Sequence, residues 1–176
     1  MFLDVVDLRN FYSQPLGVVA RRLLSDAVRA RWPSTRGLAL VGIGYATPYL
    51  GVFRNEVERT FALMPSRQGV VKWPTASPSL SALVEESQLP LPDASVDRVL
   101  AVHALEMTIH APDMLREVWR NQPPGRNKNP RSHGFSGWSV WVMPYTCQWL
   151  PTRRTHWSMP DGPCVEYSRT TCWSVS

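Results

Sequence analysis

The stretch at residues 37–53, GLALVGIGYATPYLGVF, joins a short apolar run to two glycines spaced one residue apart. The apolar run at 38–41 has the character of a buried strand, and Gly42 and Gly44 follow where a chain leaving a sheet must turn tightly. Pro48 then stands where a helix can begin. A strand, a glycine turn and a helix N-terminus in this order form the nucleotide cradle of doubly wound α/β folds.

The spacing of this turn leaves two interpretations open. It is GxGxA, whereas a dinucleotide fingerprint is GxGxxG with a later acid, and Thr47 stands at the place of the third glycine. A NAD site is therefore weakly supported. The other interpretation is a tight strand-to-helix turn that holds no ligand.

Segments of helical and strand character alternate around the turn. Strands are expected at about 38–41, 60–64, 69–73 or 80–84, and 96–102, with segments of helix length between them. A further helix should begin at Pro112 and end near Arg120. This alternation predicts an α/β fold whose parallel sheet carries helices on its faces.

The segment at 14–31 predicts an amphipathic helix that begins at Pro15. Its periodic apolar residues form the expected core side, and its arginines the expected solvent side. The apolar set is Leu16, Val19, Leu23 and Ala27, and the arginines are Arg21, Arg22 and Arg29.

Length and composition set the broad class of the protein. With 176 residues, of which 44% are apolar, the chain has the size and composition of one globular domain. No apolar run is long enough to span a membrane, and Asp4 and Asp7 stand where a signal peptide would be basic and then apolar, so we expect a cytoplasmic protein. Three cysteines without a CxxC pair predict neither a disulfide framework nor a metal site.

The last third of the chain differs in composition from the rest, with a break near Arg120. Residues 1–120 hold 16 Leu and 12 Ala, whereas residues 121–176 hold one Leu and no Ala but five Trp, three Cys and seven Pro. We therefore divide the chain into a domain at 1–120 and an irregular Trp/Pro/Arg-rich tail at 121–176. This composition is typical of a GC-rich gene read out of frame, and a genuine Trp-rich extension that packs against a partner is the alternative.

A second stretch, LPLPDASVDRVLAVHALEM at 89–107, carries a family resemblance. Together with LVGIGYA and LREVWR, it resembles class I S-adenosylmethionine-dependent methyltransferases of the small-molecule (type 11) kind. In that family an LPFPDxSFDxV stretch precedes and forms the fourth strand of a Rossmann-like sheet. The resemblance covers about residues 37–125, so a truncated sheet is implied, with no apolar fifth strand after residue 121 and an unpaired edge on the fourth strand.

The resemblance also implies a cofactor site for S-adenosylmethionine. The glycine loop of the family corresponds to Gly42, Gly44 and Ala46. The acid near the adenine amino group falls on Glu85, with Glu86 adjacent. His103 follows the fourth strand, where the family's cleft lies, and is expected to contact the cofactor or substrate; a partly buried, hydrogen-bonded histidine is the alternative.

Two departures from the family pattern bear on function. Met64 stands where an acid normally binds the ribose hydroxyls, and Leu40 stands where many members carry an acid. We expect weak cofactor binding and methyl transfer to a small molecule, with a non-catalytic interaction or regulatory module as the alternative. Most of the net positive charge lies in the tail, and we expect neither a nucleic acid nor a membrane as partner.

Overall fold

The computed structural model describes residues 4–123 and four short segments at 140–143, 156–157, 165–168 and 172–175. Five strands form a parallel sheet: β1 (Ala39–Gly44), β2 (Arg59–Pro65), β3 (Ser81–Val84), β4 (Arg98–Val102) and β5 (Val140–Met143). Their order is β3-β2-β1-β4-β5, so the direction of winding reverses between β1 and β4. The parallel α/β sheet expected from the sequence is confirmed.

Four helices connect or flank these strands in the described part of the chain. They are α1 (Val5–Ser13), α2 (Pro15–Arg31), α3 (Thr47–Leu50) and α4 (Ala111–Asn121). Prolines stand in the first turn of α2, α3 and α4, as predicted from the fixed φ of proline. The sequence analysis missed α1, which Asp4 caps by accepting a hydrogen bond from the backbone N–H of Val6.

The central strand β1 is covered on both faces. All six of its residues are buried, which is typical of a parallel sheet between two helical layers. Leu40 packs into one core cluster with Tyr49 and Met64, and Val41 packs into a second with Val99 and Met114. The alternation along β1 therefore places successive side chains in opposite layers.

The helix α2 turns a different face to the core from the one predicted. Leu16, Val19 and Leu23 are 70%, 55% and 64% exposed, and Ala27 is also exposed, whereas Gly17 and Val28 are buried. A Cβ at position 17 would lie 2.1 Å from the carbonyl oxygen of Phe11, so α1 packs directly against this glycine. That contact fixes the rotation of α2 and leaves its periodic apolar residues on the outside.

Arg29 was expected on the solvent side of α2, but it forms an ion pair with Glu56. Its two terminal nitrogens donate to the two carboxylate oxygens over 2.9 and 2.5 Å, and its guanidinium lies 5.5 Å from the ring centre of Phe53. Thr35 donates a further hydrogen bond to Glu56 over 3.2 Å. The pair links the end of α2 to the segment that follows α3.

The expectation that the fourth strand has an unpaired edge is wrong. Val140–Met143 pairs in parallel with β4, in a register that sets Val140 beside Val99 and Met143 beside Val102. The run VWVM is short but consists of β-branched, aromatic and apolar residues, which suits a strand. Three further strands, β6 (His156–Trp157), β7 (Val165–Ser168) and β8 (Cys172–Val175), form an antiparallel sheet. The division of the chain near residue 120 stays a prediction.

Candidate cofactor site at the carboxyl edge of the sheet

The ends of β1 to β4 lie along one edge of the sheet, where ligands of open α/β sheets bind. We call this region the carboxyl edge and define it by the last residue of β1 and the residues that follow the four strands: 44–47, 66–69, 85–86 and 103–108. The reversal of winding between β1 and β4 marks its centre. The segments after these two strands are joined directly, because the backbone N–H of Tyr45 donates to the carbonyl of Val102 over 2.8 Å.

The two glycines of the turn allow close contacts within the protein. Gly44 has a φ of +76°, and a Cβ there would lie 2.3 Å from the carbonyl oxygen of Val102. A Cβ at Gly42 would lie 2.6 Å from Cβ of Ala46 and 2.7 Å from Cδ1 of Leu50. Gly44 therefore permits the close approach of β1 and β4, while Gly42 permits α3 to pack on β1.

His103 lies at the centre of a hydrogen-bonded chain of side chains. Its Nε2 is 2.8 Å from the hydroxyl of Tyr12, and its Nδ1 is 3.0 Å from Oε1 of Glu106. The hydroxyl of Tyr49 donates to that of Tyr12 over 2.9 Å. A consistent set of donors runs from Tyr49 to Tyr12, to Nε2 of His103, and from Nδ1–H of His103 to Glu106.

Three members of this hydrogen-bonded set, Tyr12, Tyr49 and His103, are buried among aromatic rings. His103 is 5% exposed and has a φ of +50°, which is uncommon for a residue with a side chain. The ring of Tyr45 stacks on Tyr12 with centres 5.7 Å apart. Burial raises the pKa of Tyr49, and the hydrogen bond with Tyr12 raises it further. His103 is therefore a buried, hydrogen-bonded histidine, and its contact with a cofactor or substrate stays a prediction.

Gln68 and Glu86 reach across the carboxyl edge from the segments that follow β2 and β3. The side-chain nitrogen of Gln68 donates to the carbonyl of His103 over 2.9 Å, and Thr108 donates to Oε1 of Glu86 over 2.8 Å. The two side chains are 1% and 2% exposed. Oε1 of Gln68 and Oε2 of Glu86 are buried and have no hydrogen-bond partner among the described residues.

Two adjacent acids follow β3: Glu85, which the sequence analysis assigned to the cofactor site, and Glu86. Glu85 is exposed and accepts a hydrogen bond from Ser87 over 3.4 Å, whereas Glu86 is buried. Leu40 and Met64, the two positions without acids, are fully buried in the core. The structure thus brings Gly44, Ala46 and His103 to the carboxyl edge, with Gln68 and Glu86 beside them.

Sequence reasoning overlooked Tyr12 and Gln68. Tyr12 lies on α1, which carried no strong periodic signal, and Gln68 follows β2 in a segment without a recognisable motif. Within residues 4–123, no group of three or more His, Cys, Asp or Glu side chains could hold a metal ion. Of the helices described, none combines the length and the apolar character needed to cross a membrane.

Solved structures share this arrangement of strands and helices. A protein of Methanococcus maripaludis described as an S-adenosyl-L-methionine-dependent methyltransferase aligns with 79% of this chain and 63% of its own, at 12% identity and a TM-score of 0.52. The chain has the class I methyltransferase fold. The parallel sheet and the glycine turn at the end of β1 are the parts of this methyltransferase fold that the sequence had indicated.

Two further methyltransferase-fold structures align less closely. A SAM-dependent methyltransferase of Thermotoga maritima gives 18% identity, a TM-score of 0.48 and coverage of 78% of this chain and 56% of its own. A methyltransferase of Haloferax volcanii, in complex with the activator Trm112, gives 19% identity, a TM-score of 0.48 and coverage of 77% and 59%. The chain therefore spans less than two thirds of the length of these structures.

Sequence comparison adds no closer relative. No protein-family model matches the chain. No curated protein matches it either.

Proposed function

We propose that the carboxyl edge binds S-adenosylmethionine and that the protein is a methyltransferase acting on a small molecule. The observation that carries the proposal is the pair of buried acceptors, Oε1 of Gln68 and Oε2 of Glu86, that lack a donor among the described residues. A buried acceptor without a partner costs about 1–3 kcal/mol. A ligand that presents hydrogen-bond donors at this edge would remove that cost.

The adenosine half of S-adenosylmethionine fits these acceptors chemically. Its ribose carries two hydroxyl groups and its adenine an amino group, all of which can donate. Gln68 lies four residues after Met64, the position where the family resemblance implies a ribose-binding acid. We therefore assign the ribose-binding acceptor, missing at Met64, to Gln68 after β2. The acceptor near the adenine amino group, expected from the sequence at Glu85, is assigned instead to its buried neighbour Glu86 after β3.

The methyl group would come from the sulfonium of the bound cofactor. The contribution of this chain is to hold the cofactor in one orientation and to keep water away, because orientation supplies much of the rate gain in a transfer between two bound molecules. Gln68 and Glu86 are themselves held, since each donates to or accepts from the segment after β4. Tyr12, Tyr45 and Tyr49 are buried together in the core cluster on one face of β1, and their rings would keep water from that side of the bound cofactor.

Calorimetric titration of the full chain with S-adenosylmethionine tests the proposal. We expect saturable binding with a Kd between about 1 and 100 μM, a binding free energy of about −8 to −5.5 kcal/mol. Adenosine should compete, because the two acceptors are assigned to that half of the molecule. A folded chain that gives no saturable heat at about 1 mM would contradict the proposal.

A non-catalytic interaction module is the second candidate, and the buried Leu40 and Met64 favour it. Both stand where the family resemblance implies an acid, and both carry apolar side chains, which cannot accept a hydrogen bond from a ligand. This candidate predicts a chain that folds without binding S-adenosylmethionine. The same titration therefore separates the two candidates.

A further inference from the structure

Helix α2 presents an apolar stripe to the outside of the molecule. We define the apolar stripe as Leu16, Val19, Leu23, Ala27 and Ala30, which follow one another at intervals of three or four residues. At about 100° per residue these positions share one face of the helix. All five are exposed, and the three large side chains are more than half exposed.

The apolar stripe is distinct from the face that α2 buries in its own domain. Gly17 and Val28 mark the buried face, and Leu24 packs partly against the same core cluster. By helical geometry this face is rotated by roughly 120° from the stripe. The helix therefore has one apolar face for its own core and a second that no core residue covers.

The spacing of the stripe fits a second helix. Intervals of three and four residues generate the seam along which two helices pack side by side. The stripe extends over fourteen residue steps, or about 21 Å. An extended strand or a small ligand would not match this length and periodicity.

The charges beside the stripe favour a second copy of this chain in an antiparallel arrangement. Arg22 and Asp26 are exposed on the same flank, and neither side chain has a hydrogen bond or ion pair within residues 4–123. In an antiparallel pair of α2 helices related by a two-fold axis, this flank of one helix lies beside the same flank of the other. In a register centred near Leu24, Arg22 then lies level with Asp26 of the partner subunit, and the pair occurs twice.

We propose that two copies of the chain associate through their α2 helices, antiparallel, along the apolar stripe. A single helix face lies at the low end of interface size, so the dimer is weak, with a Kd on the order of 10–100 μM. The carboxyl edge takes no part in this contact. The inference is therefore independent of cofactor binding.

Sedimentation equilibrium of the full chain at about 5–300 μM tests the dimer. We expect a reversible monomer–dimer equilibrium, and Leu23→Lys should weaken it by at least about tenfold, because a buried charge replaces an apolar contact. The control is Leu83→Lys, which makes the same change at a leucine of β3 that is 51% exposed and lies outside the apolar stripe. It should leave the dimer unchanged.

A charge exchange tests the antiparallel register. Asp26→Arg should weaken the dimer by about fivefold or more, since it sets like charges opposite each other. The double variant Arg22→Asp with Asp26→Arg restores opposite charges and should return the Kd to within about threefold of the original.

Three outcomes would overturn the proposal. The first is a monomer at every concentration, as expected if another segment of the chain or a different protein covers the stripe. The second is a dimer that Leu23→Lys does not weaken. The third is a double charge exchange that weakens the dimer as much as Asp26→Arg alone, which would exclude the antiparallel register.

Discussion

The hydroxyl of Tyr12 lies 2.8 Å from Nε2 of His103, although 91 positions separate the two residues in the chain. This hydrogen bond joins α1 to the end of β4. Tyr49 donates to Tyr12, so the buried side chains of Tyr49, Tyr12 and His103 form one hydrogen-bonded network that links α3, α1 and the segment after β4. Glu106, which is more exposed, lies against the other ring nitrogen of His103. Through Tyr12, helix α1 therefore packs against the carboxyl edge.

Replacing Tyr12 with phenylalanine should destabilise the fold by about 1–3 kcal/mol. The substitution keeps the ring but removes the hydroxyl that bridges Tyr49 and His103, so buried polar groups lose a partner. Chemical denaturation measures the difference in the free energy of unfolding. The control is Tyr45→Phe, whose hydroxyl makes no hydrogen bond among the described residues; it should cost less than about 0.5 kcal/mol. Equal effects of the two variants would show that the hydrogen bonds of Tyr12 with Tyr49 and His103 do not stabilise the fold.

Substitution of Gly44 by alanine should cost about 2 kcal/mol or more. The new Cβ would lie 2.3 Å from the carbonyl oxygen of Val102, at a φ that disfavours side chains. Gly51→Ala is the matched control, because Gly51 has a helical φ of −56° and no atom within 4 Å of its Cβ position. It should leave stability unchanged or raise it by up to about 1 kcal/mol. A tolerated Gly44→Ala would mean that β1 and β4 do not approach as closely as described.

The sequence predicted the sheet well because its signals there are local. The apolar run before Gly42, the glycine turn and the prolines at 15, 48 and 112 each specify an element through its own backbone chemistry. The rotation of α2 could not be predicted, since it depends on the contact between Gly17 and Phe11 in another helix.

The candidate site was predicted only in part for the same reason. The glycine turn and His103 belong to recognisable stretches of sequence. Gln68 and Glu86 matter because their side chains reach the segment after β4, and this is a property of the folded edge. An acid at position 85 or 86 could be expected from sequence, but which of the two is buried could not.

Glu56 should make the stability of the protein dependent on pH in the acid range. The hydrogen bonds from Arg29 lower the pKa of Glu56 from its ordinary value near 4.5. A lowered pKa in the folded state gives a stabilisation that is present above the unfolded-state value and is lost as the pH falls through the folded-state value. Glu56→Gln should therefore lower the denaturation midpoint at pH 7, and the two proteins should converge as the pH falls below about 4.

The control for this pH dependence is Glu58→Gln. Glu58 lies 3.6 Å from Arg59 with both side chains 61% exposed, and an exposed pair of this kind contributes little. Its midpoint should follow that of the original protein at every pH. If Glu56→Gln also follows the original protein at pH 7, the pair with Arg29 does not stabilise the fold.

Proline substitutions in β5 test its pairing with β4. Successive residues of a strand direct their backbone N–H groups to opposite sides, so only one of Trp141→Pro and Val142→Pro removes a hydrogen bond to β4. That variant should speed hydrogen exchange of the β4 amides at 99–102, and the other should have a smaller effect. If the β4 amides exchange in both variants as they do in the original protein, residues 140–143 do not pair with β4.

The most direct test of the proposed cofactor site compares two adjacent acids. Glu86→Gln keeps the size of the buried side chain but replaces one oxygen with an amino group, whereas Glu85→Gln makes the same change at an exposed position. By calorimetric titration with S-adenosylmethionine, we expect Glu86→Gln to weaken binding at least about tenfold, or about 1.4 kcal/mol, and Glu85→Gln to change it less than about twofold. Binding that is lost with Glu85→Gln and kept with Glu86→Gln would contradict the assignment of the buried acceptor.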